Sequence, residues 1–249
     1  MGNSNHLNNE VLEHIVQKLN YPYQVLPDNL TLEQAVEIYE EALERGRKEG
    51  FTPVLIPEDN VLEEYLGIMQ DEEYSVEETL KQMNESGKDI LHRLLEEEEN
   101  PSNGLGGVSI DAILGELEGG EELNVFISLL KYGEDHLQKT VLVEVPTTNP
   151  WEVPVYVPFG GWNDCPEPDK MAAICRYWYE QHGAIPAVIT HDTLEMLVPQ
   201  PVAKEQAMEL AKEHYVFCID RVSQCTRSGS IGEVADALWQ SRVWYFWWD

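Results

Sequence analysis

Two short stretches, FGGWNDCP at residues 159–166 and THDT at 190–193, place a tryptophan, an amide, a thiol, an imidazole and two carboxylates in loop-like sequence. Cys165, near the start of a helix, has a setting that lowers a thiol pKa, and His191 or His182 could take its proton in nucleophilic catalysis. The carboxylates of Asp164, Glu167 and Asp169 work against this, because they raise the same pKa and disfavour a phosphate at that helix start. Asp164, His191, Asp192 and Glu195 offer oxygen and imidazole donors without any spacing diagnostic of a metal site. The architectural alternative is a plain turn. In it the two glycines supply positive φ, Asn163 or Asp164 caps the following helix, and Trp162 anchors the loop in the core. The candidate ligand edge is thus Trp162, Asn163, Asp164, Cys165, His191, Asp192 and Glu195, with no catalytic residue, metal or cofactor assigned.

These loops need elements to position them. VPVYVPF (153–159) is β-branched and aromatic and reads as a strand. Residues 168–182 carry Met171, Ile174, Cys175 and Trp178 on a helical stripe, Gly183 ends it, and IPAVIT (185–190) reads as a buried strand. Strand, loop, helix and strand in one sheet make a right-handed parallel crossover, which would bring both loops to the carboxyl edge where open α/β sheets bind ligands. Helices over 203–217 and over 231–240, the latter with Ser230 and Glu233 as a capping box, lead to a last strand, RVWYFWW. That strand is apolar on both faces, which fits a central position in a covered sheet.

The first part of the chain reads as helices. Thr31 with Gln34 opens one over 31–46, Asn60 with Glu63 one near 61–69, and Ser75 with Glu78 one over 76–95. The last ends in EEEEN, where glutamates oppose the helix dipole and fraying is expected, and NPSNGLGG follows as loop or linker. GFTPVLIPED (50–59) and GAIPAVITHD (183–192) share Gly, Pro, Ile and Asp in register. Internal duplication and two similar helix-to-strand turns both account for that echo.

Composition limits the function classes. The 249 residues, 43% hydrophobic and 25% charged, are those of a globular protein. There is no apolar run long enough for a membrane span, no signal-peptide pattern, and His6 stands where a myristoylation signal has Ser or Thr, so the expected compartment is cytoplasmic. Forty-six acidic against 16 basic residues give a net charge of −30, which repels nucleic acid and favours a basic protein partner. Cys165, Cys175, Cys218 and Cys225 lack zinc-site spacing and read as reduced thiols. Residues 1–150 hold 32 acidic and 9 basic side chains, residues 151–249 hold 14 and 7, and all seven tryptophans lie in the second part. The expected organisation is an acidic helix-rich region, 1–145, and an aromatic-rich module, 146–249. The expected fold class is α/β (or α+β): a mixed sheet with at least one parallel strand-helix-strand unit in the C-terminal half, preceded by a helix-rich part.

PWEVPVYVPFGGWNDCP, YWYEQHGAIPAVITHDTLEMLVPQP, AKEHYVFCIDRVSQ and the closing VWYFWWD together resemble the bacterial family known as domain of unknown function 4253, over about residues 145–249. The resemblance implies a bacterial cytoplasmic protein and transfers no activity, cofactor or catalytic residue. With charge as its main signal, the chain is expected to be a non-enzymatic interaction protein, an acidic partner or immunity-type protein. The alternative is an enzyme or small-ligand binder using the 160–165 and 190–195 loops.

Overall fold

Side-chain caps start most of the helices. The computed structural model describes residues 9–99, 109–131, 133–134 and 136–249; the N-terminal eight residues and the NPSNGLGG stretch lie outside these. Asn9 accepts the Leu12 N–H at the start of α1 (Glu10–Leu19), and β1 (Tyr23–Val25) follows. Thr31 and Gln34 form the expected reciprocal capping box of α2 (Leu32–Glu49), which ends at Gly50 in the left-handed region before β2 (Thr52–Pro57). The cap of α3 (Asn60–Asp71) is Asp59 and not Asn60, because the Asp59 carboxylate reaches both the Val61 and Leu62 N–H groups.

Ser75 caps α4 (Val76–Gln82), but the single helix expected over 76–95 breaks, and α5 (Gly87–Glu99) starts anew. Ser86 accepts the Asp89 N–H, and Gly87 lies so close to the backbone of the later helix that a Cβ there would stand 2.2 Å from the Ala173 carbonyl oxygen. The glutamate-rich end stays helical to Glu99, with Glu98 buried beside Tyr215. Next come α6 (Ile110–Ile113), a 3₁₀ turn (Ile127–Leu129), β3 (Thr140–Val145) and a second 3₁₀ turn (Pro150–Glu152).

Residues 153–159 are not a strand. They begin as α7 (Val153–Tyr156), because Pro150 and Pro154 suit the first turn of a helix, where a missing N–H costs nothing. Tyrosines from the N-terminal half satisfy carbonyls that a strand partner would otherwise have taken: Tyr21, Tyr74 and Tyr65 donate to Tyr156, Val155 and Gly160 at 3.5, 2.9 and 3.0 Å. Then follow α8 (Pro168–His182), β4 (Ile185–Ile189), β5 (Thr193–Leu197), α9 (Lys204–Phe217), α10 (Asp220–Ser223), α11 (Ile231–Leu238) and β6 (Val243–Trp247). Ser230 caps α11 as expected, but the Glu233 carboxylate accepts the Arg227 and Ser228 N–H groups and does not close the expected capping box.

One six-stranded mixed sheet has the order β1-β3-β2-β4-β5-β6 and takes three strands from each compositional half. The sheet is mixed with one parallel pair, as expected, but that pair joins β2 to β4 across the two halves, with Leu55 opposite Val188, and not two strands of the C-terminal half; every other pair is antiparallel. Strand alternation divides the core. Val54 and Ile56 pack with α1, α3, α5, α8, α9 and α11 on one face, whereas Leu55 packs with Tyr39 of α2 and Phe126 on the other. A half-turn about an axis between β2 and β4, along the strands, keeps strand directions and exchanges the two halves of the sheet. It also exchanges α2 on one face with α8 on the other. The paired residues Leu55 and Val188 have the same offset as Gly50 and Gly183, so the sequence echo has a counterpart in space.

The last strand is at the sheet edge, not its centre. Its aromatic content follows from what covers it. Trp244, Phe246 and Trp248 bury against α9 and α8, with the Trp178 ring stacked 5.5 Å from Phe246. On the outer edge the Val243 N–H donates to the Leu123 carbonyl and the Cys218 thiol to that of Trp247, which blocks strand addition. Among the described residues no helix is long and apolar enough to cross a membrane.

Candidate functional site

The central parallel pair ends in two aspartates that face each other across one histidine. β2 runs into Asp59, and β4 runs into the turn Thr190–Asp192. One Asp59 oxygen caps α3; the other accepts the His191 backbone N–H at 2.8 Å and lies 2.8 Å from His191 Nδ1. Asp192 Oδ2 lies 3.4 Å from His191 Nε2 and accepts the Trp247 indole N–H at 2.8 Å. Its other oxygen accepts the hydroxyls of Thr190 and Thr193, both at 2.9 Å.

Charge follows from this geometry. The hydrogen bond to Asp59, against an opposing burial effect, raises the His191 pKa, and the Asp59 and Asp192 charges add to the rise. Burial would raise Asp59, but hydrogen bonds from the His191 side chain and from the Leu62 and His191 backbones hold it below its usual value. With Asp59 hydrogen-bonded to one ring nitrogen and Asp192 3.4 Å from the other, His191 ties the start of α3 to the β4–β5 turn, and the shift favours its charged form.

The 159–165 loop lies on the same edge. Gly160 and Gly161 adopt φ of 108° and 87°, and a Cβ on Gly160 would stand 1.9 Å from the Pro166 carbonyl oxygen, so glycine is required there. Trp162 is half-buried, edge-on to Phe159 at 5.1 Å and to Tyr65 of α3 at 5.6 Å. Asn163 is exposed and donates to the Asp249 carbonyl, while the Trp248 N–H donates to the Asp192 carbonyl at 3.0 Å. The C-terminal residues therefore link the two loops. Asp164 is exposed, and neither it nor Asn163 caps α8, whose N-cap position is Glu167 followed by Pro168.

Cys165, His182 and Glu195 are set apart by burial or by distance. The Cys165 thiol is buried, and burial, with Cys218 and Glu167 nearby, pushes its pKa far up. His182 ends α8 while Cys165 precedes it, so the helix length of about 20 Å separates them. Glu195 is fully buried on the opposite face of the sheet from Cys165, where its carboxylate accepts the N–H groups of Ile127 and Ser128 at 3.0 and 3.3 Å. Among the described residues no group of three or more His, Cys, Asp or Glu side chains is arranged to hold a metal. Reading the loops alone missed Asp59, Tyr65 and Trp247. The echo carried the signal for Asp59, since it aligns with Asp192.

Residues 141–249 match a family model described as domain of unknown function (DUF4253). The match begins within β3 and takes in both loops, α8, α9 and β6, but not Asp59 or α3. No curated protein and no solved structure matches this chain.

Proposed function

From the premise that residues 141–249 belong to the domain of unknown function 4253 family, we propose that this chain is an interaction protein that binds a basic protein partner. The observation that carries the reading is the charge: 46 acidic against 16 basic residues, with most of the bases already engaged in ion pairs. The acids left over present a negative field that speeds encounter with a cation-rich surface and rejects anionic ones. The candidate edge supports binding over nucleophilic chemistry, since Cys165 is buried and the His191 ring lies between two carboxylates.

Native mass spectrometry on gently purified protein, followed by affinity measurements across ionic strength, tests this. A basic partner whose affinity falls at least tenfold as screening shortens the Debye length from about 10 Å to about 3 Å is the expected result. A partner bound with no salt dependence overturns the reading. A stoichiometric metabolite or metal adduct lost in Asp164→Ala or His191→Ala would instead favour a small-ligand site, whose support is the position of Asp59, His191 and Asp192 beyond the strand ends.

A further inference from the structure

We propose that the outer flank of α3, together with Trp162, is the docking surface for a basic amphipathic helix of the partner. The proposal rests on the interaction reading above and locates it. Among the described residues the large hydrophobic side chains left exposed are Val61 and Ile68, each 52% accessible, and Ile127 at 38%. Val61 and Ile68 are separated by two helical turns and stand about 10 Å apart on one stripe. Tyr65 lies between them, half-buried, with Trp162 in a T-shaped contact with its ring. This makes an apolar strip two turns long, the size that the i, i+3/i+4 and i+7 anchors of one docked helix fill.

The opposite flank of α3 is occupied. Lys18 of α1 pairs with Glu63, and Gln70 donates to the Lys18 carbonyl at 2.9 Å. The stripe is bordered by acids: Glu64 and Asp71 on α3, Glu72 at its C-cap, and the exposed Asp164 and Glu167 beyond Trp162. Glu167 comes within reach of the tyrosine; burial first, then the charges of Glu167 and Glu72, push the Tyr65 hydroxyl up to about 12. An apolar strip inside an acidic border fits apolar anchors flanked by lysine and arginine. A second copy of this chain would bring the same acids face to face, and an anionic membrane would be repelled for the same reason.

The test uses a synthetic leucine–lysine amphipathic helix and a scrambled peptide of identical composition, titrated into the full chain by calorimetry. The variant is Val61→Asp with Ile68→Asp, and Ile127→Ser is the control; circular dichroism and urea midpoints verify folding. Attraction by charge alone predicts tighter peptide binding to the double aspartate variant, since it gains negative charge. Docking on the stripe predicts the reverse: at least tenfold preference for the amphipathic over the scrambled peptide in the native chain, abolished in the variant and kept in the control. Unchanged or tighter binding by the variant overturns the docking surface and leaves the acidic-partner reading standing. If neither peptide binds the native chain, the acidic-partner reading itself falls. Concentration-dependent dimers, or binding to anionic vesicles, that are lost in the same variant would assign the stripe to another occupant and overturn the basic helix.

Discussion

Glu195 makes the stability of this protein depend on pH in a defined direction. It is fully buried, and burial raises its pKa to about 8 despite the Ser128 and Ile127 N–H groups that favour the carboxylate. In the unfolded chain a glutamate titrates near 4.3. Between those values the folded state holds a proton that the unfolded state has released. Each pH unit of rise therefore removes about 1.4 kcal/mol of stability. The contribution is full below the unfolded pKa and is lost as pH climbs through the folded one. From pH 4.5 to 8 the summed loss is about 5 kcal/mol, comparable to a marginal domain stability. With so many other acids, the raw pH profile of the chain mixes many terms, so the measurement is a difference: urea unfolding of the native chain and of Glu195→Gln at pH 5, 7 and 9. The amide cannot ionise, and the stability gap between the two proteins should shift steadily in favour of the variant as pH rises. Parallel pH profiles would show that Glu195 is ionised throughout and that its two N–H donors outweigh its burial.

Three further outcomes follow from the site geometry. Asp59→Ala removes the α3 cap, at about 1–2 kcal/mol, and should return the NMR-detected His191 titration toward its ordinary value; an unmoved His191 would refute the pairing. The stability supplied by that pair is full between about 3.9 and about 6.5, the unfolded values of the two groups; it fades as pH rises through the raised His191 value and as pH falls through the lowered Asp59 value. Gly160→Ala should cost about 2 kcal/mol or more in urea unfolding, from positive φ and the Pro166 contact, and a smaller loss would mean that the loop relaxes freely. In native protein at pH 8 the half-exposed Cys225 should react with a thiol reagent before Cys165; equal rates would restore Cys165 as a candidate nucleophile.

What could be read from the linear chain was what short-range physics sets. Thr31, Ser75 and Ser230 cap their helices because a side-chain oxygen three residues upstream suffices, and Gly183 ends α8 because only a local left-handed turn is needed. The buried strands at 185–189 and 243–247 were legible from apolar β-branched and aromatic runs. By the same criterion 153–159 looked like a strand, but its prolines start a helical turn and distant tyrosines take its carbonyls, a fact no window of seven residues contains.

The candidate site divides along the same line. Sequence determined the residue types, the two loops, the charge of −30 and the echo that pairs Asp59 with Asp192. Tertiary structure alone decided that β4 pairs with β2, which sets both aspartates on His191. It also sent Glu195 to the far face, closed Cys165 into the core and left Val61 and Ile68 uncovered. Pairing, burial and exposure are properties of which distant segments meet, and local propensity carries no term for them.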